Sequence, residues 1–324
     1  LWCNPEYAKS TSHGDIVALP SFLFSCSRII SGYVGGLPGV HAMWAGADWT
    51  WHKWVRRNEK ISTEAWLKDL IEHDTRFSGR AVQQIYHVKF YNQDGDLLSE
   101  ADSWCFRTDR DFAREEGTKY KSLKSKEQKR YTPEALSEIY ALYRDEEIRG
   151  ATPRYWEDVS VNDELPTMAK GPMTVTGFIC YAQGWGGLYI RANKIAWKQI
   201  DRHPGLGIEN RFGIPDCPER VHWENEFATE VGAPGAYDYG PERCSWLSHQ
   251  LTNWMGDDGF LVRSESKIRR HNPEGDLLFI KGKVTKKYEE NGKGYVEITQ
   301  EALQQDDELS IFGSGIVRLP RKPT

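Results

Sequence analysis

Along the second half of the chain, apolar and polar residues alternate in four runs: FLVRSESKIRR, LLFIKGKVTKKY, GYVEITQEAL and LSIFGSGIVRL. The segments HNPEGD, EENGKG and QQDD separate them, each rich in turn-forming residues. A period of two, interrupted by turn chemistry, predicts antiparallel strands. The first half carries GVHAMWAGADWTWHKW, AVQQIYHVKFY and LLSEADSWCFR in the same style. Each set follows an apolar helical run, SFLFSCSRII after Pro20 and PERCSWLSHQLTNWM after Gly240. A helix followed by a meander of strands has one economical arrangement: the sheet curls around the helix and buries its apolar face. The fold class is α+β.

The two halves are copies of one unit. WCNPEYA at Trp2–Ala8 aligns with HWENEFA at His222–Ala228, and both end in acidic–aromatic–Ala. Pro20 and Gly240 follow at the same spacing after Ala8 and Ala228, each opening its helical run. NQDGDLLSEADSWCFR (Asn92–Arg107) resembles QQDDELSIFGSGIVR (Gln304–Arg318), and both read as strand, turn, strand. Shared elements in a shared order indicate an internal duplication with a period of about 220 residues. The expected division is a first unit at 1–113, a charged linker with a crossover helix at 114–153, and a second unit at 154–324. REEGTKYKSLKSKEQKR reads as exposed linker. The crossover helix starts with Thr132 as N-cap and Pro133 at its first position, and puts Ala135, Leu136, Ile139, Leu142 and Tyr143 on one face. Phe178–Gln183 reads as a strand.

Composition narrows the functional classes. The 324 residues include 42 Lys and Arg against 47 Asp and Glu, a net charge of −5. This balance gives no reason to expect a nucleic acid or an anionic membrane as partner. No apolar run reaches membrane-spanning length. The six cysteines are scattered without CxxC and His residues do not cluster with them, so neither a disulfide framework nor a zinc site is expected. Reduced thiols and a cytoplasmic protein follow as the expectation. The chain starts at Leu1 without a signal-peptide pattern, and further residues are expected ahead of it. GWGG at Gly184–Gly187 matches neither phosphate-loop pattern.

The doubled helix-and-meander unit, HWENEFA, DYG before the second helix and RRHNPEGDLL two elements later together resemble the MaoC-like acyl dehydratases and (R)-specific enoyl-CoA hydratases. In the first copy, NPEYA, the proline-led helix and GLPGVHAMWAG resemble the amino-terminal half of such proteins. The resemblance implies a double hot-dog fold. It also implies an active site with an Asp, four intervening residues, a His, and an acidic residue two further on. His222 matches the His and Glu224 the acidic residue. Cys217 stands where the family has Asp, with Asp216 one residue earlier. An inserted stretch, Trp185–Pro215, precedes them; it either re-registers the loop so that Asp216 supplies the carboxylate, or the carboxylate is absent. Trp2 takes the position of His222 in the first copy, so the second copy is the one expected to carry chemistry.

The resemblance implies reversible hydration of an enoyl-CoA, or dehydration of a 3-hydroxyacyl-CoA, with no metal and no cofactor beyond the CoA of the substrate. His222 and Asp216 are the expected acid–base pair, because a His beside a carboxylate can exchange protons with water near neutral pH. The Gly240 N–H, at a helix start, is the expected donor to the thioester oxygen. Glu224, Tyr237, Tyr239 and His41 are the expected substrate-binding residues. Each has a plainer role open to it: His222 and His41 as structural histidines, Asp216 as a turn residue, the tyrosines as packing, Gly240 as a helix-entry glycine. A thioesterase and a non-catalytic acyl-CoA-binding subunit are the rival readings. A double hot dog contains its own pseudo-dimer interface, and a homodimer of whole chains is compatible with it.

Overall fold

The computed structural model describes residues 1–32, 40–75, 79–109, 130–231 and 233–323. Residues 114–129, most of the expected linker, lie outside the described residues. Four strands form the first half: β1 (Val40–Trp51), β2 (Ser62–Thr75), β3 (Gly79–Tyr91) and β4 (Leu97–Asp109). Five more serve the second: β5 (Glu164–Lys170), β8 (Phe260–Ile268), β9 (Leu278–Glu290), β10 (Lys293–Gln304) and β11 (Leu309–Leu319). They make one nine-stranded sheet in the order β2-β3-β4-β1-β8-β11-β10-β9-β5. Strands β6 (Ile208–Glu209) and β7 (Pro215–Asp216) form a separate small hairpin.

The duplication is visible in this order. Strands β1 and β8 pair antiparallel at the centre, with Asp48 opposite Glu265. Outward from them β4 matches β11, β3 matches β10, and β2 matches β9. The matching hairpins close alike: Asn92 N–H donates to Asp96 C=O, and Gln304 N–H to Glu308 C=O. Across the central pair the Arg263 guanidinium donates two hydrogen bonds to Asp48, at 2.8 and 2.6 Å.

The halves differ in what the sheet encloses. In the second, α6 (Gly240–Met255) runs through the concave face, with Cys244, Leu247, Leu251, Trp254 and Met255 buried. The strand opposite approaches so closely that a Cβ on Gly315 would collide with Leu251. In the first half SFLFSCSRII does not form the expected long helix. It folds as two 3-10 turns, Pro20–Ser25 and Ile29–Ser31. Ser25 turns its hydroxyl back onto the Phe22 carbonyl at 2.7 Å, and Gly32 ends the second turn in the left-handed region at φ +82°. An aromatic cluster fills the space: Trp49 stacks on Trp51 and Phe90, and Phe24 meets Trp49 edge-on.

Strand β2 has no alternating pattern to predict it. Trp66, Leu67, Leu70 and Ile71 recur at helical spacing, and in the structure they lie exposed on an edge strand. Its counterpart β9 is covered by β5, which has no equivalent beside β2 among the described residues.

Two further helices belong to the second half: one packs on β5, and the other contacts the turn at Pro218–His222. The crossover helix α2 (Pro133–Arg144) begins where expected, Thr132 Oγ1 accepting from Ala135 N–H, with Ile139 buried. Phe178–Gln183 is not a strand but the middle of α3 (Val175–Trp185). Thr174 caps that helix by accepting from Gly177 N–H at 3.0 Å, and Phe178 and Ala182, four apart, face the core. No helix among the described residues is long and apolar enough to cross a membrane.

Leu251 is the keystone of the wrapped helix. Leu251→Ala is expected to destabilise the protein by about 2–5 kcal/mol, read from the denaturation midpoint in urea. A loss under 1 kcal/mol would mean that the sheet does not close on α6 as described.

Candidate active site

His222 ends a short 3-10 turn, Pro218–His222, opened by a proline at its first position. Three residues later begins α5 (Asn225–Glu230), the counterpart of α1 (Pro5–Lys9). The imidazole is half-buried. Its Nδ1 lies 2.7 Å from the Tyr237 carbonyl oxygen. A carbonyl can only accept, so Nδ1 carries the proton and Nε2 is left with a lone pair. Nε2 makes no hydrogen bond among the described residues. The Tyr239 ring stacks on the imidazole at 3.7 Å and 27°, and Tyr237 meets it edge-on at 4.7 Å. Desolvation by these rings, reinforced by the Arg243 charge, pushes the His222 pKa down to about 4. The ring is therefore neutral at pH 7.

The acidic residues expected beside His222 are engaged elsewhere. Asp216 accepts from Cys217 N–H at 2.7 Å and from Asn210 at 3.3 Å, and lies 3.9 Å from Arg220. Glu224 forms an ion pair with Arg220 at 2.7 Å. Arg220 is buried over the Phe227 ring and draws both carboxylates to itself. Neither makes a hydrogen bond to His222. The buried carboxylate on the same turn is Glu219. On a 3-10 turn, positions three apart eclipse, so Glu219 and His222 share one side. Glu219 accepts from the Tyr239 hydroxyl at 3.1 Å and from the Tyr189 N–H. The spacing E-x-x-H in PERVH was the available signal, hidden because the sequence gives no sign that this turn is 3-10.

The remaining expected residues divide. The Tyr239 hydroxyl is committed to Glu219, so its ring rather than its oxygen meets His222. Tyr237 contributes its carbonyl and places its ring between His222 and His271. Gly240 starts α6, with a reason to be glycine: a Cβ there would collide with the Trp44 ring and come within 3.2 Å of Ile268. Its N–H has no intrahelical partner, as at any helix start. His41 pairs with Thr108 through the backbone, and its side chain lies outside the described residues. In the first copy Trp2 stands where His222 does and packs on Trp54 at 5.8 Å. All six cysteines are free thiols, and burial raises Cys217 to about 12.

Behind the site lies a buried polar network. Asp238 pairs with Arg243 at 2.8 Å and accepts from the Asn272 side chain at 2.7 Å. Asn272 in turn accepts from Ser310 at 2.7 Å and Gln304 at 3.2 Å. This explains RRHNPEGD: its Asn joins the helix start to the sheet. Burial raises Asp238 to about 6 against the pull of Arg243, and raises Glu242 to about 8 with Asp238 adding to the effect. A cavity of about 160 Å³ opens nearby, between Phe24, Ser25 and Arg28 on one side and Trp185, Gly187 and Arg191 on the other. Trp185 separates it from Tyr239, which it meets edge-on at 5.6 Å.

No family model and no curated protein matches the sequence. Solved structures do match. A protein described as a MaoC-like dehydratase superimposes with a TM-score of 0.63 at 15% identity, over 98% of this chain and 88% of the other. A conserved hypothetical protein of Mycobacterium tuberculosis, described as having a double hotdog fold, gives 0.54 at 9% identity over 98% and 87%. This chain is a double hot dog. The Drosophila melanogaster peroxisomal multifunctional enzyme type 2 gives 0.50 at 9% identity over 96% of this chain and 42% of its own. At these identities the likeness is one of fold. The double hot dog explains the single continuous sheet and the pseudo-twofold at β1 and β8.

The raised Glu242 sets a pH dependence of stability. Between its ordinary value of 4.5 and about 8 the folded state holds a proton that the unfolded chain has lost. Stability from this group is therefore full below 4.5 and lost as pH rises through about 8. His222 works in the opposite sense, but only between about 4 and 6.5. From pH 6.5 to 8 the melting temperature should fall, and Glu242→Gln should flatten that slope. An unchanged slope in the variant would remove Glu242 as its source.

Proposed function

We propose that this protein is a hydro-lyase that adds water reversibly across the double bond of an enoyl-CoA thioester. The observation that carries the reading is His222. A neutral imidazole has its Nδ1–H tied to the Tyr237 carbonyl and its Nε2 lone pair uncommitted, in a double hot-dog fold. Its position matches the His of the MaoC-like motif. The family's usual carboxylate partner is not supported at Asp216 or Glu224, since Arg220 takes both.

His222 then performs both proton transfers. Nε2 removes a proton from water while the oxygen bonds to the β-carbon. The π electrons move toward the thioester oxygen, and the Gly240 N–H and the positive end of α6 stabilise the charge there. The imidazolium returns its proton to the α-carbon, so water's two parts end on adjacent carbons. Desolvation around the ring favours this return, because it raises the acidity of the charged form. The second copy carries the chemistry, and Trp2 leaves the first without a base.

His222→Ala should remain folded and lose about 10²–10⁴-fold in rate, measured with crotonyl-CoA and a longer straight-chain enoyl-CoA. For the native protein, activity should fall only as pH drops through about 4, where Nε2 becomes protonated. Formation of 3-hydroxyacyl-CoA supports the proposal. Release of free CoA would move the assignment to a thioesterase, and unchanged substrate to an acyl-CoA-binding protein.

A further inference from the structure

Two consecutive residues of the His222 turn are charged and buried: Glu219 is 6% exposed and Arg220 3%. Both grip the inserted segment. Glu219 accepts from the Tyr189 N–H. Arg220 donates to the carbonyls of Ile208 at 3.1 Å and Glu209 at 3.2 Å. The turn thus holds the segment at two places: just beyond α3, and where the small hairpin begins. In between lies α4 (Asn193–Arg202), with Ile195 and Trp197 exposed.

A latch alone does not need a buried acid. Taking a carboxylate out of water costs several kcal/mol unless donors surround it. What the acid adds is a fixed acceptor for the Tyr239 hydroxyl, 3.1 Å away, and the Tyr239 ring lies flat against His222. We propose that Glu219 is a positioning residue for His222. It fixes the Tyr239 ring against the imidazole and, through the same carboxylate, holds the backbone at Tyr189 closed over the turn. The insertion is therefore part of the acid–base site. The ring contact keeps the imidazole in the rotamer that reaches the Tyr237 carbonyl, and so keeps Nε2 the basic nitrogen. Burial favours the protonated form of Glu219, and the Tyr189 N–H and the Tyr239 hydroxyl oppose that shift.

This inference rests on the hydratase reading, and the experiment separates the two. Glu219→Gln, Tyr239→Phe and the double variant are compared with native protein for kcat, KM and limited proteolysis within 186–216. Tyr239→Phe keeps the ring and should lower kcat about 10–100-fold, with KM little changed. Glu219→Gln should lower kcat similarly and also speed cleavage of the segment. The double variant should be no slower than the slower single one, because both changes break one linkage. Additive losses, or native kcat in folded Glu219→Gln, overturn the proposal. If Glu219→Gln fails to fold, Tyr239→Phe decides alone, and native kcat there overturns it. If His222→Ala keeps full activity, the hydratase reading falls first. The His222 ring titration in Tyr239→Phe, followed by NMR, then decides positioning: a midpoint raised from the native value supports it, and an unmoved midpoint overturns it.

Discussion

Everything in this fold follows from the need to bury α6. Eleven of its sixteen residues are buried, so no single face can be offered to solvent. A flat sheet would cover only one side. The second-half strands therefore curl, with Gly315 letting the backbone meet Leu251. The helix is not purely apolar, and its polar groups find partners in the sheet. Gln250 donates to the Pro166 and Ile280 carbonyls, and Gln300 reaches Gln250 and the Leu247 carbonyl. A buried amide without such partners would cost about 1–3 kcal/mol. The helix is thus fixed in register as well as enclosed.

The same burial sets the surroundings of His222. The start of α6 lies deep enough that Asp238, Glu242 and Arg243 are all out of water. Asp238 and Arg243 neutralise each other and tie the helix to Asn272, while burial, with the Asp238 charge adding to it, raises Glu242 to about 8 against the pull of Arg243 and the Tyr239 N–H. On this platform Tyr237 offers a carbonyl and Tyr239 a ring, and both shape the state of His222. An imidazole that is neutral, oriented and half-buried is the product of the packing around it.

The two copies have diverged around that platform. The first has two 3-10 turns instead of a long helix and fills the space with Trp49, Trp51 and Phe90, and it has Trp2 where the second has His222. The second carries the segment between α3 and the His222 turn, anchored by Glu219 and Arg220. A bulky aromatic core in one half and a wrapped helix with an inserted segment in the other make a sheet that is symmetric in order and asymmetric in what it encloses.

Alternation at a period of two, the turn segments and the repeated Trp2–Ala8 and His222–Ala228 motifs were enough to derive the α+β class, the helix-and-meander unit and its doubling, while the order of strands in the sheet came only with the structure. These features are local, and local patterns survive in the sequence. The failures are of another kind. SFLFSCSRII and PERCSWLSHQLTNWM look alike as apolar runs, but only the second has a sheet curled closely enough to hold a full helix. Trp66, Leu67, Leu70 and Ile71 have helical spacing on a strand, because an edge strand exposed on both faces imposes no period. Asp216 and Glu224 sit at suitable distances from His222 along the chain, but a buried guanidinium between them is the stronger attraction, and Arg220 claims both. Glu219 takes the place beside Tyr239 because a 3-10 turn, set by packing, rotates it to the His222 side. Spacing along the chain fixes which residues are near one another; the burial of charge fixes which of them meet.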